Sequence, residues 1–280
     1  MTAEPPGPAD EAPSAADTRW AGVADGLRFA FGTLTAVPVR VSRWDRAGAR
    51  TGMLCAPLAG LAVGLCAAAA GGMLHALGAG GLLSAVAGVG TGAALTRGLH
   101  LDGLADTADG LGSGAPAEEA LRVMRQSDIG PFGVVTLVLV LGAQVAALAR
   151  AYDTSWAAGG VALALAATVA RLALTLAVRT GVPAARTDGL GATVAGSVPV
   201  GAARCAALAT LLAATGVGAL FGALGAVRCA LAVLCGCGAA ALLRRHCTGR
   251  LGGVTGDVLG ALAETAATAA LVVLACAGPT

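Results

Sequence analysis

The chain has 280 residues, of which 56% are hydrophobic and 12% charged, with a net charge of +2. Soluble domains carry roughly 25% charged residues. A mean hydropathy of +0.79 therefore excludes a water-soluble globular domain and predicts an all-α fold, a polytopic membrane helix bundle. No basic tract of the kind that binds nucleic acid is present, so the lipid bilayer is the expected partner and nucleic acid is not.

Residues 1–18 are rich in Pro, Ala and acids and are expected to form a disordered tail. They lack the charged start and apolar core of a signal peptide, so the tail is expected to stay in the cytosol. Residues 19–280 are read as a single integral membrane domain. Trp20, Val23, Leu27, Phe31 and Leu34 recur at helical spacing. They predict an N-terminal amphipathic helix, lying at the interface or packed over the bundle. About seven transmembrane helices follow, near 52–73, 76–95, 133–149, 157–178, 198–216, 226–243 and 258–277. With the N-terminus inside, the loops at 96–132, 179–197 and 244–257 share the inner face. They carry most of the arginines, in a positive-inside pattern. All 18 basic residues are Arg, a bias that genomic base composition explains, so each is judged by position. Cys55, Cys66, Cys205, Cys229 and Cys276 sit in apolar runs and read as small buried hydrophobes. Neither Cys235-Gly-Cys237 nor His246-Cys247 has metal-ligand spacing.

The first inner loop, RGLHLDGLADTADGLGSG (97–114), carries Asp102, Asp106 and Asp109 at i, i+4 and i+7. On a helix these three carboxylates share a face. Ionised groups so close to lipid are costly, which makes the cluster a functional-site candidate. A cation between them would relieve their repulsion, and oxygen ligands suit Mg²⁺ or Mn²⁺ better than zinc. Helix capping by Asp102 and a turn at Asp109-Gly110 account for one or two of these acids but not for three in phase.

Downstream, Arg122 and Arg125 share a helical face at i, i+3, and within MRQSDIGPFG (124–133) Ser127, Asp128 and Gly130 then form a polar turn before Pro131 starts the next span. The arginines could hold phosphate oxygens or simply anchor the inner face. The second inner loop holds RTDGLG, with Arg186. The third holds GRLGGVTGDVLGALAE (249–264), where Gly252, Gly253 and Gly256 could form a backbone nest for an anion. Asp257 and Glu264 share a face if a helix starts near Thr255. Glu264 lies within an apolar span and needs a partner, either a metal or Arg171, which has the same difficulty in its own span. Acids, arginines and glycines gathered on one face are the equipment of phosphoryl transfer.

GLHLDGLADTADGLGSG, MRQSDIGPFG, RTDGLG and GGVTGDVLGALAE together resemble the cobalamin synthase family, adenosylcobinamide-GDP ribazoletransferases, in the family's order. A weaker echo is LTAVPVR (34–40), where Ala36 replaces the more usual basic residue; Leu101 likewise stands where an acid is common. The resemblance implies joining of α-ribazole, or its 5′-phosphate, to adenosylcobinamide-GDP with release of GMP. It also implies Mg²⁺, the cell inner membrane with the site on the cytoplasmic side, and other cobalamin-assembly enzymes as partners. On these terms the metal ligands would be Asp102, Asp106, Asp109, Asp257 and Glu264. The phosphate contacts would be Arg122, Arg125, Ser127, Arg186, Gly253 and Gly256. Asp106 or Asp109 would take the proton, His100 would orient an Asp or contact substrate, and the ribazole 5′-oxygen would be the nucleophile. The alternatives are a lipid enzyme like the CDP-alcohol phosphotransferases, whose pattern has Ala-Arg where Ala105-Asp106 stands, and a cation transporter. A transporter would carry its acids within the spans rather than on the loops.

Overall fold

The computed structural model describes residues 15–276, and side chains from residue 22. The tail expected at 1–18 falls outside the described residues as far as residue 14, while residues 15–18 open the first helix. Eleven helices make up the described chain: α1 (Ala15–Leu34), α2 (Arg46–Ala76), α3 (Gly80–Leu95), α4 (Leu99–Gly112), α5 (Ala117–Val123), α6 (Pro131–Thr154), α7 (Trp156–Ala177), α8 (Gly189–Val194), α9 (Val200–Ala219), α10 (Gly222–Leu251) and α11 (Gly256–Cys276). No strand forms among the described residues; two isolated bridges, Arg179 with Val198 and Ala184 with Val254, tie loops together.

Six of these helices are long and apolar enough to cross a membrane. The seventh predicted span is α3, which ends at Leu95 and turns through 88° into α4. The long helices alternate in direction. At one end they are joined by short turns at residues 77–79, 155 and 220–221. At the other end lie the long connections at 35–45, 96–130, 178–199 and 252–255. Two helices separate each long connection from the next, so every polar motif emerges at the same end of the bundle. The chain is a multi-pass membrane protein.

The core is built on the pairing of α2 with α7, the largest contact between helices. Gly60 and Gly64 lie against the α7 backbone, and a Cβ at residue 64 would sit 2.7 Å from the Cα of Ala164. Lipid offers no hydrophobic drive for helices to associate, so close packing through small residues has to supply it. Thr175 adds a polar clamp, its hydroxyl donating to the Met53 carbonyl at 2.6 Å. Leu58, Leu65, Val138, Leu139, Leu208 and Leu212 stay exposed, as expected of side chains that face acyl tails.

One expectation is resolved and one needs correction. Of the two placements open for α1, the packed one holds: the helix lies on α2, and its buried face is Gly26, Phe29, Ala30, Thr33 and Leu34. Val23 is exposed and Leu27 and Phe31 are half-buried; Trp20 lies outside the described side chains. The large apolar residues flag a hydrophobic stripe, but the small ones permit contact. Of the cysteines, Cys229 is buried and Cys55 half-buried, whereas Cys66, Cys205 and Cys276 lie on the outer surface. That surface is apolar too when it faces lipid, so hydropathy alone does not separate the two places.

Gly60→Leu should weaken the α2–α7 pair by about 2–3 kcal/mol through overpacking. A Cβ at residue 90 meets nothing within 4 Å, so Gly90→Ala should leave stability unchanged or slightly raised. Thermal unfolding in detergent reads both.

Candidate active site

The site begins at the bend between α3 and α4. Arg97 (φ 55°) and Gly98 (φ 68°) are both left-handed, and this turns the chain sharply. An arginine in that region costs about 1 kcal/mol, so the bend is held by its surroundings. The 14 residues of α4 then run across the end of the bundle instead of continuing through it.

The helix α4 crosses α11 with no side chain between them. A Cβ at residue 103 would sit 2.6 Å from the Asp257 carbonyl oxygen, and one at residue 260 would sit 3.1 Å from that of His100. Glycine at both crossing points brings Asp102 and Asp106 of α4 beside Asp257 in the first turn of α11. Asp102 is exposed and Asp106 half-buried. Neither accepts a side-chain hydrogen bond from any described residue, while both lie within electrostatic reach of Asp257. Thr255 caps α11 through the Val258 amide at 3.1 Å, and its hydroxyl lies 3.3 Å from Asp257 Oδ2.

Burial first, and then Asp102, Asp257 and Asp109, push the Asp106 carboxyl up to about 7, with Arg186 opposing. Arg186 is the cation the structure brings to this cluster. Its Nη1 donates to Asp257 Oδ2 at 3.1 Å and its Nη2 to the Leu121 carbonyl at 2.7 Å. One arginine thus ties α5 and the 178–199 connection to α11.

Asp109 does something else. Its Oδ2 accepts from the Gly130 amide at 2.8 Å and its Oδ1 from the Gly133 amide at 2.9 Å. No side chain in α6 itself caps that helix; Asp109 does so from α4, 21 residues upstream. A carboxylate at a helix N-terminus satisfies orphan donors and meets the positive end of the dipole. With each oxygen accepting an amide and the group 8% exposed, Asp109 anchors α4 to the start of α6.

Other sequence candidates divide similarly. Glu264 does not join Asp257; it accepts from Gln144 Nε2 at 2.8 Å inside the bundle. His100 is 2% exposed and lies two residues from Asp102, about 200° around the helix. It packs against α11 at Gly260 and contacts none of the carboxylates. Gly253 is no open nest, because a Cβ there would sit 2.5 Å from the Ala184 carbonyl carbon. It lets the 252–255 loop press on residues 183–185, where Val254 bonds to Pro183 and Ala185. Gly256, at the start of α11, has open space apart from Leu190. Ser127 is exposed and bonded to no described residue.

The arginines gather as expected. Arg122, Arg125 and Arg186, with Glu118 and Glu119, line a cleft of about 640 Å³, joined to the aspartates through the Arg186 bond to Asp257. Arg122 pairs with Glu119. Arg125 Nη2 reaches both oxygens of Asp188, at 2.7 and 3.0 Å. Neither partner drew attention in the sequence: Glu119 precedes Arg122 by three residues, a visible helical pair, but Asp188 lies 63 residues from Arg125.

Among the described residues no three His, Cys, Asp or Glu side chains close on one point as a ready metal cage. Of the five ligands expected, Asp109 accepts from the α6 amides and Glu264 from Gln144, whereas Asp102, Asp106 and Asp257 come near one another. These uncommitted or half-committed carboxylate oxygens, repelling each other on one face, match the way Mg²⁺ is bound. That ion keeps several waters and takes one or two carboxylates plus substrate phosphates rather than an all-protein cage.

Asp109→Ala should cost about 2–3 kcal/mol, since two amides at the α6 terminus lose a charged acceptor; Asp102→Ala, on an exposed site, should cost little. Chemical denaturation in detergent compares them. Asp106 holds its proton more tightly folded than unfolded. With divalent ions removed, stability should fall as pH rises from about 4, the unfolded value, to about 7. Asp106→Asn should flatten that decline and be the more stable protein at pH 8. Parallel pH–melting series check the sign.

No solved structure matches this chain. Similar sequences are found in Frankia casuarinae, 44% identical over 90% of this chain and 95% of the relative, and in Nocardioides sp., 43% identical over 88% and 96%. A third, from Bradyrhizobium diazoefficiens, is 38% identical over 89% and 92%. All three are named adenosylcobinamide-GDP ribazoletransferase. The family model described as cobalamin-5-phosphate synthase matches residues 26–275, a stretch that holds every element of the site, and the chain belongs to that family.

Proposed function

We propose that this protein joins α-ribazole, or its 5′-phosphate, to adenosylcobinamide-GDP, releasing GMP and leaving cobalamin or its 5′-phosphate. The observation that carries this is the meeting of Asp102 and Asp106 with Asp257 and Arg186 beside an arginine-lined cleft. That is where an anionic pyrophosphate and a divalent ion would neutralise each other. The names of the relatives support the substrates.

In the reaction a ribose hydroxyl oxygen bonds to the cobinamide-side phosphorus, and the bond from that phosphorus to the bridging oxygen breaks. GMP departs with the bridging oxygen and its electron pair. A ribazole that arrives as the 5′-phosphate has no free 5′-hydroxyl. The nucleophile common to both acceptors is therefore a ring hydroxyl, which replaces the 5′-oxygen expected from the sequence. Arg186, Arg122 and Arg125 bind the GDP phosphates from the cleft side. Arg125 must exchange Asp188 for a phosphate oxygen, and Arg122 must exchange Glu119. Asp106, half-buried and free of side-chain donors among the described residues, is placed to accept the hydroxyl proton. Mg²⁺ held by Asp102 and Asp257, and by Asp106 when ionised, would supply Lewis-acid stabilisation of charge on the phosphates and the leaving oxygen.

The arginine distribution supports an inner-membrane location with the site facing the cytoplasm. Arg40, Arg43, Arg46, Arg50, Arg244 and Arg245 flank the site end, whereas Arg150 and Arg228 flank the other.

The purified protein in nanodiscs, given adenosylcobinamide-GDP, α-ribazole and Mg²⁺, should release one GMP per cobalamin formed. Chelator should stop turnover and Mg²⁺ restore it. Asp106→Asn should lower kcat at least about 100-fold while remaining folded. Absence of GMP from the wild-type reaction overturns the activity, and full turnover in chelator overturns the metal.

A further inference from the structure

Between the long helices, reaching the α3–α4 bend, lies a small, half-open pocket that the proposed reaction does not use. It has a volume of about 80 Å³, and its walls include Arg171 of α7, Glu264 of α11, Gln144 of α6 and Thr96 at the α3–α4 bend. The remaining walls are apolar side chains and small residues of the long helices. Arg171 is only 6% exposed. Its guanidinium makes no hydrogen bond to any described residue, and its nearest carboxylate, Glu264, lies within electrostatic reach but beyond the 4.0 Å of a direct ion pair. Glu264 accepts from Gln144 Nε2 at 2.8 Å, and Gln144 also reaches the Thr268 hydroxyl at 3.0 Å. His100 borders the same region, near Arg171, with its Nδ1 buried and unbonded.

Two opposite charges that face one cavity without touching, in the apolar interior of a membrane protein, are costly unless something joins them. A pocket this size holds two or three waters at about 30 Å³ each, and its walls supply the several polar partners that a buried water needs. We infer that Arg171 and Glu264 form a water-bridged ion pair in this pocket at the α3–α4 bend, and that they are positioning residues for the acidic helix α4. The bridge spans α7 and α11, with Gln144 bringing in α6; Thr96 lines the pocket at the bend, its hydroxyl donating to the Gly92 and Ala93 carbonyls. Leu101, which precedes Asp102, lines the same pocket. Breaking the pair releases α4 and changes the spacing of Asp102 and Asp106 from Asp257.

The spectroscopic arm of the test is independent of the proposed function; the kinetic arm rests on it. In infrared difference spectra of the protein in nanodiscs, using Glu264→Gln to assign the band, the wild-type Glu264 should be an ionised carboxylate that shifts on exchange into heavy-oxygen water. Arg171→Met should convert it to a protonated carboxyl. A carboxylate that is protonated in the wild type, or indifferent to Arg171→Met or to the water, overturns the bridged pair. In kinetics, Arg171→Met and Glu264→Gln should each lower kcat about 10–100-fold, with KM for both substrates within about threefold. The double variant should recover at least tenfold over the poorer single, because neither charge is then left alone. Arg171→Lys should stay within about threefold of wild type. Should Arg171→Met fail to fold, Arg171→Lys and Glu264→Gln still decide: a raised KM with normal kcat, or Glu264→Gln kinetics like wild type, overturns the positioning role. A wild-type protein without ribazole transfer defeats the proposed function and leaves the infrared result to stand by itself.

Discussion

Backbone contact between α4 and α11 governs the candidate site. At Gly103 and Gly260 the two helices meet without intervening side chains, and no wider separation would hold Asp102 and Asp106 within reach of Asp257. Each neighbouring contact protects that crossing. Asp109 nails the far end of α4 to the start of α6, and the left-handed pair Arg97-Gly98 fixes its near end. Arg186 reaches Asp257 and the Leu121 carbonyl, so the cation that offsets the acids also staples down α5. Movement at any of these points changes distances between charges, to which phosphate chemistry is steeply sensitive.

The carboxylates near the site illustrate how one residue type takes opposed roles through its surroundings. Asp109 has both oxygens filled by amides and serves the fold. Asp257 shares an oxygen with Arg186 and Thr255. Asp102 and Asp106 have no side-chain donor among the described residues, although burial and three neighbouring acids act on Asp106. A fold selected only for stability would neutralise or remove such a group. Such a group stores electrostatic stress, which the divalent ion and substrate phosphate of the proposed function would relieve.

Much of this was legible in the sequence. The spans came from runs of apolar residues, and the common face of the polar loops followed from parity, since two spans separate each loop from the next. The face shared by Asp102 and Asp106 followed from a 100° helical step. Asp109 was not legible as an anchor: its i+7 spacing puts it within about 20° of Asp102, and only the three-dimensional arrival of the α6 terminus distinguishes them. The same limit applies to Gly253, whose loop composition suits an anion nest, whereas its actual neighbour is the 183–185 backbone. The face of α1 was legible only in part for a related reason. Leu34 of the apolar stripe is buried, but Leu27 and Phe31 are half-buried, and the close approach to α2 at Thr51 depends on the smallness of Gly26.

Small residues and isolated charges turn out to be complementary in this bundle. Close helix contacts such as those at Gly60 and Gly64 exclude lipid and water from most of the interior, and any polar group inside is then poorly screened. Arg171, Glu264 and Gln144 sit where the packing leaves a gap instead of a seam. An arginine and a glutamate placed in a seam would have to touch or be removed, whereas a gap can hold the solvent that joins them. A bundle built of Leu against Leu would be thicker between helices, would hold α4 farther from α11, and would have no room for such a gap. Glycine-rich packing thus brings the acids of the site together at the surface and makes a wet pocket tolerable between the long helices, so the composition that first marks the chain as membrane-embedded also shapes its chemistry.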